Sequence, residues 1–180
     1  MIDFQYGVEL DTIRGYDVEY LRKCRNNPLV HNWCRQVGLI DTISQDSWMQ
    51  RISDDIKIRM YTIQHEKAFE DHGTSYHTIG LCGFTGITPT HNTAEFSIYI
   101  DPDCQKKGYA TAALKTLIRH GFEDLNFNRI WGETFDANPG IKLYEKLGFK
   151  KEGTLRETYY KQGNYINSHI YSILKKDFIH

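Results

Sequence analysis

Residues 94–110 read AEFSIYIDPDCQKKGYA, which combines a strand, a turn and the start of a helix. The first seven of them alternate in polarity and are rich in β-branched and aromatic side chains, which predicts a strand. Pro102 has no N–H to give to a sheet and therefore ends it. Gly108 lets the backbone approach a ligand closely, and the first N–H groups of the next helix lack partners within that helix. With Lys106 and Lys107 in the same turn, these groups predict a pyrophosphate-binding site.

A second block lies downstream at residues 138–149, NPGIKLYEKLGF. Together the two blocks resemble the GNAT N-acetyltransferase superfamily, whose acyl-CoA loop has the pattern Gln/Arg-x-x-Gly-x-Gly/Ala and whose later block has Asn-x-x-Ala-x-x-x-Tyr-x-x-x-Gly-Phe. The loop pattern stands here as Gln105, Gly108 and Ala110. The later block departs from the family at Ile141, where a small residue is usual. A glycine pattern placed between a strand and a helix is more specific than the same pattern alone.

The order of predicted elements is a strand, two or three helices, three antiparallel strands, a helix, a strand, a helix and two strands. The strands are expected near residues 4–10, 58–65, 76–87, 94–100, 129–135, 150–160 and 165–174, with a tight turn at residues 71–73. Asp17, Ser44 and Asn138 are expected to cap helices, with Pro139 at a first helical position and Gly148 ending the last helix. The resemblance implies the GNAT fold, an α/β structure with a mixed, mostly antiparallel sheet whose central strands splay apart, as one domain over residues 1–180.

The resemblance implies acetyl-CoA as the co-substrate and a set of residues that hold it. The strand before the turn is expected to pair with the pantetheine arm as if with another strand. The predicted contacts are backbone groups of Ile98 and Ile100, the turn residues Gln105, Lys106, Lys107, Gly108, Tyr109 and Ala110, and Asn138 and Lys146 in the second block. The alternative for the turn alone is a solvated glycine turn that carries two surface lysines.

Three side chains are candidates for proton transfer. By resemblance, Tyr144 is the acid that protonates the departing thiolate; the alternative is a buried aromatic, the commoner fate of a helical tyrosine. Glu95 and Glu133 lie on two successive strands and are equal candidates for a base that acts through water on the amine. The alternative for each glutamate is an ion-paired carboxylate without a catalytic role.

The segments that are expected to bind the acceptor amine match several branches of the family. The segment Arg25-Asn26-Asn27-Pro28 and the tail from Glu152 to Glu157 resemble ribosomal-protein N-terminal acetyltransferases and spermidine acetyltransferases. The resemblance therefore implies transfer to a primary amine on a small molecule, a polyamine or an amino sugar, or to a protein N-terminus. The alternative is a domain that binds acyl-CoA as a sensor or interaction module and catalyses nothing.

Composition excludes several classes of function. The 180 residues carry 22 lysines and arginines against 23 acidic residues, so no broad nucleic-acid patch is expected. The chain has no run of about 18 apolar residues and no basic-then-apolar start, so we expect no membrane partner and a cytoplasmic location. Four cysteines without Cys-x-x-Cys spacing and eight scattered histidines predict reduced thiols and no metal site. The sequence leaves open whether the chain forms a homo-oligomer.

Overall fold

The computed structural model describes residues 1–3, 7–68 and 74–178. Its strands are β1 (Ile2–Asp3), β2 (Val8–Asp11), β3 (Arg59–Ala68), β4 (Thr74–Thr88), β5 (Thr93–Ile100), β6 (Arg129–Phe135), β7 (Lys150–Lys161) and β8 (Asn164–Leu174). Its α-helices are α1 (Val18–Asn26), α2 (Pro28–His31), α3 (Thr42–Asp54), α4 (Tyr109–Glu123) and α5 (Ile141–Lys146). The predicted turn at residues 71–73 lies outside the described residues, as do residues 4–6 of the first predicted strand.

All eight strands join one sheet in the order β1-β2-β3-β4-β5-β6-β8-β7. Every neighbouring pair is antiparallel except β5 and β6, which run parallel. The predicted mixed, mostly antiparallel sheet is therefore confirmed. In the part of the chain that the structure describes, no helix has the length and apolar character that crossing a bilayer requires.

The two parallel strands separate soon after they meet. Their ladder contains only three pairs, from Thr93 opposite Arg129 to Glu95 opposite Trp131. A Cβ atom on Gly132 would fall 2.4 Å from the ring of Phe96, so this ring lies directly on the glycine backbone where the strands part. Because β6 keeps its pairing with β8 along its whole length, it is β5 that loses its partner, and the central strands splay as expected.

The long helix α4 anchors the sheet. Its inward face carries Ala113, Leu114, Leu117 and Ile118, none of which has any solvent exposure. Each of the three larger side chains, Leu114, Leu117 and Ile118, contributes about 1.5–3 kcal/mol through the apolar surface it removes from water. The helix is thus held by its apolar stripe, as its three- and four-residue periodicity predicts. Its N-terminus is fixed beside the gap between β5 and β6.

The caps predicted for α1 and α3 are wrong. The Asp17 side chain does not cap α1, because its carboxylate accepts from the backbone N–H of Arg14 at 2.8 Å and from the Thr78 hydroxyl at 2.5 Å. The helix α3 starts earlier than predicted, and Asp41 caps it by accepting from the N–H of Ser44 at 2.7 Å. At the start of α1 the aspartate binds other partners, and at the start of α3 a different residue, Asp41, forms the cap.

The short helix α5 is entered through a turn. The Asn138 side chain accepts from the N–H of Gly140 at 2.8 Å and so closes this turn, but the helix begins only at Ile141 and Gly140 is its N-cap. The prediction that Asn138 caps the helix with Pro139 at the first helical position is therefore wrong. At the other end, Gly148 has φ of +91° and the N–H of Phe149 donates to the Tyr144 carbonyl at 3.0 Å. This confirms the predicted left-handed glycine cap.

Candidate active site

A cavity of about 520 Å³ opens where β5 and β6 part. The segment around α2, the second half of β5, the turn before α4, the end of β6 and the entry to α5 all contribute side chains to its wall. Of the sequence-predicted residues, the structure brings ten to this wall: Glu95, Ile98, Ile100, Gln105, Lys106, Gly108, Ala110, Glu133, Asn138 and Tyr144. The two blocks of sequence that define the family resemblance thus meet in one cavity.

The free edge of β5 faces this cavity. A Cβ atom on Gly80 would fall 2.3 Å from the Tyr99 carbonyl oxygen, so this carbonyl points toward β4. Because backbone groups of successive strand residues point to opposite edges, those of Ile98 and Ile100 point to the side where β6 has withdrawn. The Gln105 amide donates to the Ile100 carbonyl at 3.0 Å and so ties the following turn to the strand end. The edge can therefore accept an extended polar chain as another strand would.

The turn before α4 has the geometry of an anion site. Lys106 and Gly108 both have positive φ, +61° and +87°, which curls the backbone toward the cavity. The Gly108 carbonyl accepts from the N–H groups of Thr111 and Ala112, whereas those of Tyr109 and Ala110 have no acceptor within the described residues. Unpaired N–H groups at the start of a 15-residue helix attract negative charge.

Three predicted cofactor contacts do not line the cavity among the described residues. The Lys107 ammonium donates to the Asp103 carbonyl at 2.9 Å. The Tyr109 ring packs on His65, with ring centroids 4.5 Å apart. Lys146 is exposed and is not among the described cavity residues. Their roles as cofactor contacts stay predictions.

Tyr144 projects from α5 into the cavity wall and is only 9% exposed. Burial raises the pKa of its hydroxyl to about 12, so the group stays protonated at any working pH. A Cβ atom on Gly140 would fall 3.0 Å from this hydroxyl, which shows how closely the tyrosine packs on the entry turn. Ile141, the departure from the family pattern, packs against the core and is not among the cavity residues that the structure describes.

Glu95 and Glu133 face each other across the gap, and Arg35 bridges them. The Arg35 guanidinium contacts Glu95 and lies 3.2 Å from Glu133. The second oxygen of Glu133 accepts from the Ser168 hydroxyl at 2.5 Å. Burial raises the pKa of Glu95, and the charge of Arg35 acts against this rise. No pattern in the sequence pointed to Arg35, because it lies in a segment without periodicity, 60 and 98 positions from its two partners.

An additional polar group in the cavity wall lacks a partner. The hydroxyl of Thr134 is buried, and the structure gives it no hydrogen bond within the described ranges. A buried hydroxyl left unpaired costs about 1–3 kcal/mol, so such a group points to a ligand that supplies the missing bond. Together with the free edge of β5 and the N–H groups before α4, it fits a polar, extended molecule that ends in a phosphate.

The described residues do not form a recognisable metal-binding site. Within residues 1–3, 7–68 and 74–178, no three His, Cys, Asp or Glu side chains are grouped so that they could hold an ion. All four cysteines are free thiols, and three of them are buried. Burial raises the pKa of Cys24 to about 12, which keeps that thiol protonated and a poor metal ligand.

Comparison with known proteins agrees with this geometry. Residues 8–150 match the family described as Acetyltransferase (GNAT) domain. An uncharacterized N-acetyltransferase p20 of Bacillus licheniformis is 38% identical over 101 residues, which is 56% of this chain and 57% of that protein. The chain thus spans little more than half the length of this relative.

Two further comparisons extend over nearly the whole chain. The spermidine N(1)-acetyltransferase of Escherichia coli (strain K12) is 30% identical over 166 residues, 91% of this chain and 83% of that protein. A crystal structure of spermidine N-acetyltransferase from Vibrio cholerae in complex with CoA and spermine superposes with a TM-score of 0.86 at 24% identity, covering 95% of this chain and 97% of the other. That structure establishes the shared fold. On the matched segment and these relatives, the chain belongs to the GNAT acetyltransferase family.

Proposed function

We propose that this protein transfers an acetyl group from acetyl-CoA to a primary amine, by direct attack of the amine while both substrates are bound. The observation that carries the proposal is the gap between β5 and β6, where an unpaired strand edge, a helix N-terminus, Tyr144 and two carboxylates line one cavity. The names of the relatives support the same activity. Residues 1–180 are proposed to act as one domain.

The co-substrate would be held along β5 and at the start of α4. Ile98 and Ile100 offer backbone groups to the pantetheine arm, and the N–H groups of Tyr109 and Ala110 offer bonds to the pyrophosphate. Thr134 offers a hydroxyl from the opposite strand. Bound there, acetyl-CoA supplies the acetyl group as an activated thioester.

Two proton transfers fall to side chains of the cavity. An ammonium has no lone pair, so the amine must lose a proton before it attacks; Glu95 or Glu133 takes this proton through water. Tyr144 is protonated and gives its hydroxyl proton, or a hydrogen bond, to the sulfur as the carbon–sulfur bond breaks. Arg35 holds the two carboxylates in place, and its charge opposes the rise in the pKa of Glu95 that burial causes.

The acceptor is a small molecule or a peptide. Polyamines are the first class to test because relatives are named for spermidine; amino sugars and protein N-termini are the other two. With a net charge of −1, neither nucleic acid nor a membrane is proposed as a partner. The cytoplasm is the proposed location, and a homo-oligomer is left open.

The second candidate function is a catalytically silent acyl-CoA-binding module. The Arg35 bridge favours it, since both candidate bases are ion-paired. Incubating the protein with acetyl-CoA and a panel of polyamines, amino sugars, amino acids and peptides separates the two. We expect release of free CoA, measured with a thiol reagent, that depends on one of the amines. Tight CoA binding in calorimetry with no amine-dependent release would establish the module instead.

Replacing Arg35 with glutamine is expected to shift the pH dependence of kcat/KM. Without the guanidinium, the pKa of Glu95 rises further above its ordinary value, because burial is no longer opposed. The base must be deprotonated to act, so the acid limb should move to higher pH, by about one unit or more. Arg35→Lys keeps the charge and should leave the limb nearly where it is. An identical acid limb in parent and Arg35→Gln would show that neither carboxylate is the titrating base.

A further inference from the structure

The layer that covers one face of β5 carries the charges that an acceptor would meet. Side chains alternate along the strand, and Glu95, Ser97 and Tyr99 share the face turned toward α1 and α2. Two contacts establish this: Arg35 pairs with Glu95, and the Tyr99 hydroxyl donates to the Leu21 carbonyl at 3.3 Å. The acceptor would reach the acetyl group through the space between this face and the covering layer.

The covering layer is rich in positive charge. Three cations, Arg25, Arg35 and, from the end of β7, Lys161, lie there near the His31 side chain, whose pKa burial and the charges of Lys161 and Arg25 keep low. Arg35 is neutralised by Glu95 and Glu133. For Arg25, His31 and Lys161, by contrast, the described ranges contain no carboxylate that forms an ion pair.

Of the three side chains without an ion-pair partner, Arg25 is the one that lines the cavity. Its guanidinium lies over the Tyr99 ring, 5.5 Å from the centroid, and its Nε donates to the Gln36 side chain at 3.4 Å. These two neighbours hold the side chain in place and leave its positive charge without an anionic partner. Arg25 lines the same cavity as Glu95 and Glu133.

Lys161 places a second positive charge in the same region as Arg25. The Lys161 ammonium donates to backbone carbonyls at the end of α2, including His31 at 3.3 Å. Burial lowers the pKa of His31, and the charges of Lys161 and Arg25 lower it further. Mutual repulsion of this kind marks a site where a bound anion would be stabilised.

We propose that the acceptor carries an anionic group, a carboxylate or a phosphate, in addition to its primary amine, and that Arg25 binds this group. This rests on the proposed function and selects among its acceptors. A planar guanidinium already fixed by stacking suits two parallel hydrogen bonds to a carboxylate or phosphate. A polyamine, whose second charge is positive, would place that charge beside Arg25 and Lys161.

The distance between the candidate bases and Arg25 determines the chain length of the probe amines. Glu95 and Tyr99 are four strand residues apart, about 13 Å along β5, and the side chains of Arg25 and Arg35 reach into that interval. Suitable sets share one chain length and differ in the far group. They are 4-aminobutyrate, butylamine and 1,4-diaminobutane; 6-aminohexanoate, hexylamine and 1,6-diaminohexane; and, for phosphate, O-phosphoethanolamine against ethanolamine.

The test compares kcat/KM within each set. We expect the acid-bearing amine to exceed its neutral partner by about tenfold, the size of one charge-assisted contact, and the diamine to be the poorest. Arg25→Gln should remove the preference through the KM of the acceptor, with the KM of acetyl-CoA unchanged. Lys23→Gln, on the same helix and exposed, makes the same change of net charge and should keep the preference.

Several outcomes would overturn the inference. The first is a parent protein that acetylates neutral amines or diamines as well as the acids, a result that leaves the proposed activity standing. The second is an Arg25→Gln variant that raises the KM of acetyl-CoA alone, which would make Arg25 a co-substrate contact.

If no probe is acetylated, calorimetric titration of each set into the CoA complex ranks the probes by affinity, and we expect the acid-bearing amine to bind most tightly. Equal or absent binding of the acids refutes the proposal. The set in which the acid-bearing amine is preferred shows whether Arg25 binds a carboxylate or a phosphate.

Discussion

Replacing Gly108 with valine is expected to weaken CoA binding by about a hundredfold or more. Gly108 adopts φ of +87°, a conformation that β-branched residues avoid, and it lies in the cavity wall at the start of α4. Valine would either move the turn or place two methyl groups where the phosphates approach. Loss of two charge-assisted hydrogen bonds, each about 1.5–3 kcal/mol, corresponds to at least this factor. Calorimetric titration with CoA measures it.

The matched control is Gly163→Val. Gly163 has nearly the same backbone angle, φ of +84°, in the turn between β7 and β8, and a Cβ atom there would meet no other atom within 4 Å. It therefore carries the same strain without the ligand, and its CoA affinity should equal that of the parent. If Gly108→Val also binds CoA with parental affinity while remaining folded, the turn before α4 is not the pyrophosphate site.

Replacing Tyr144 with phenylalanine is expected to lower kcat by about a hundredfold. A positioned proton donor contributes roughly 10²–10⁴-fold, and two facts favour the low end. A thiol has a pKa of about 8.5, so a thiolate leaves tolerably well without help. Burial raises the pKa of Tyr144 to about 12, so full proton transfer to sulfur is uphill and the hydroxyl acts mainly through a hydrogen bond. The same high pKa keeps Tyr144 protonated, so the loss should be uniform from about pH 6 to pH 10.

Folding and CoA affinity should change little in this variant, because the ring stays. Tyr144 packs against Phe96, with centroids 5.1 Å apart, and against Phe149 and Tyr171 in the same cluster. Tyr171→Phe is the control: its hydroxyl donates to Glu145 at 3.1 Å, and Tyr171 is not among the described cavity residues. Parental kcat in Tyr144→Phe across the pH range would reduce Tyr144 to a packing residue.

Much of the fold could be predicted because its signals are local. The alternation in β5, the proline that ends it and the apolar stripe of α4 are each properties of a few consecutive residues. The glycine turn with positive φ follows from the same short stretch, and so does the left-handed cap at Gly148. These features depend on backbone geometry and side-chain spacing, which neighbouring residues determine between them.

Contacts between distant segments could not be predicted in the same way. Asp17 was expected to cap α1, but the half-buried hydroxyl of Thr78, 61 positions away, donates to its carboxylate instead. Lys107 and Tyr109 belong to the family turn, yet the curl of the backbone directs one side chain to Asp103 and the other to His65. A motif therefore located the site without deciding which of its side chains enter it.

The amino-acid sequence by itself determined the family, the strand–turn–helix unit and the residues whose chemistry suits acetyl transfer, since each is written in short blocks. Only the tertiary structure decided how those residues are charged and paired. The gap between β5 and β6 brings Glu95 within reach of Glu133, and a loop residue without any pattern, Arg35, bridges them. Arg25 and Lys161 meet over the same face from opposite ends of the chain. Electrostatic interactions depend on distance in space and on burial, and folding sets both by joining segments that the sequence keeps apart.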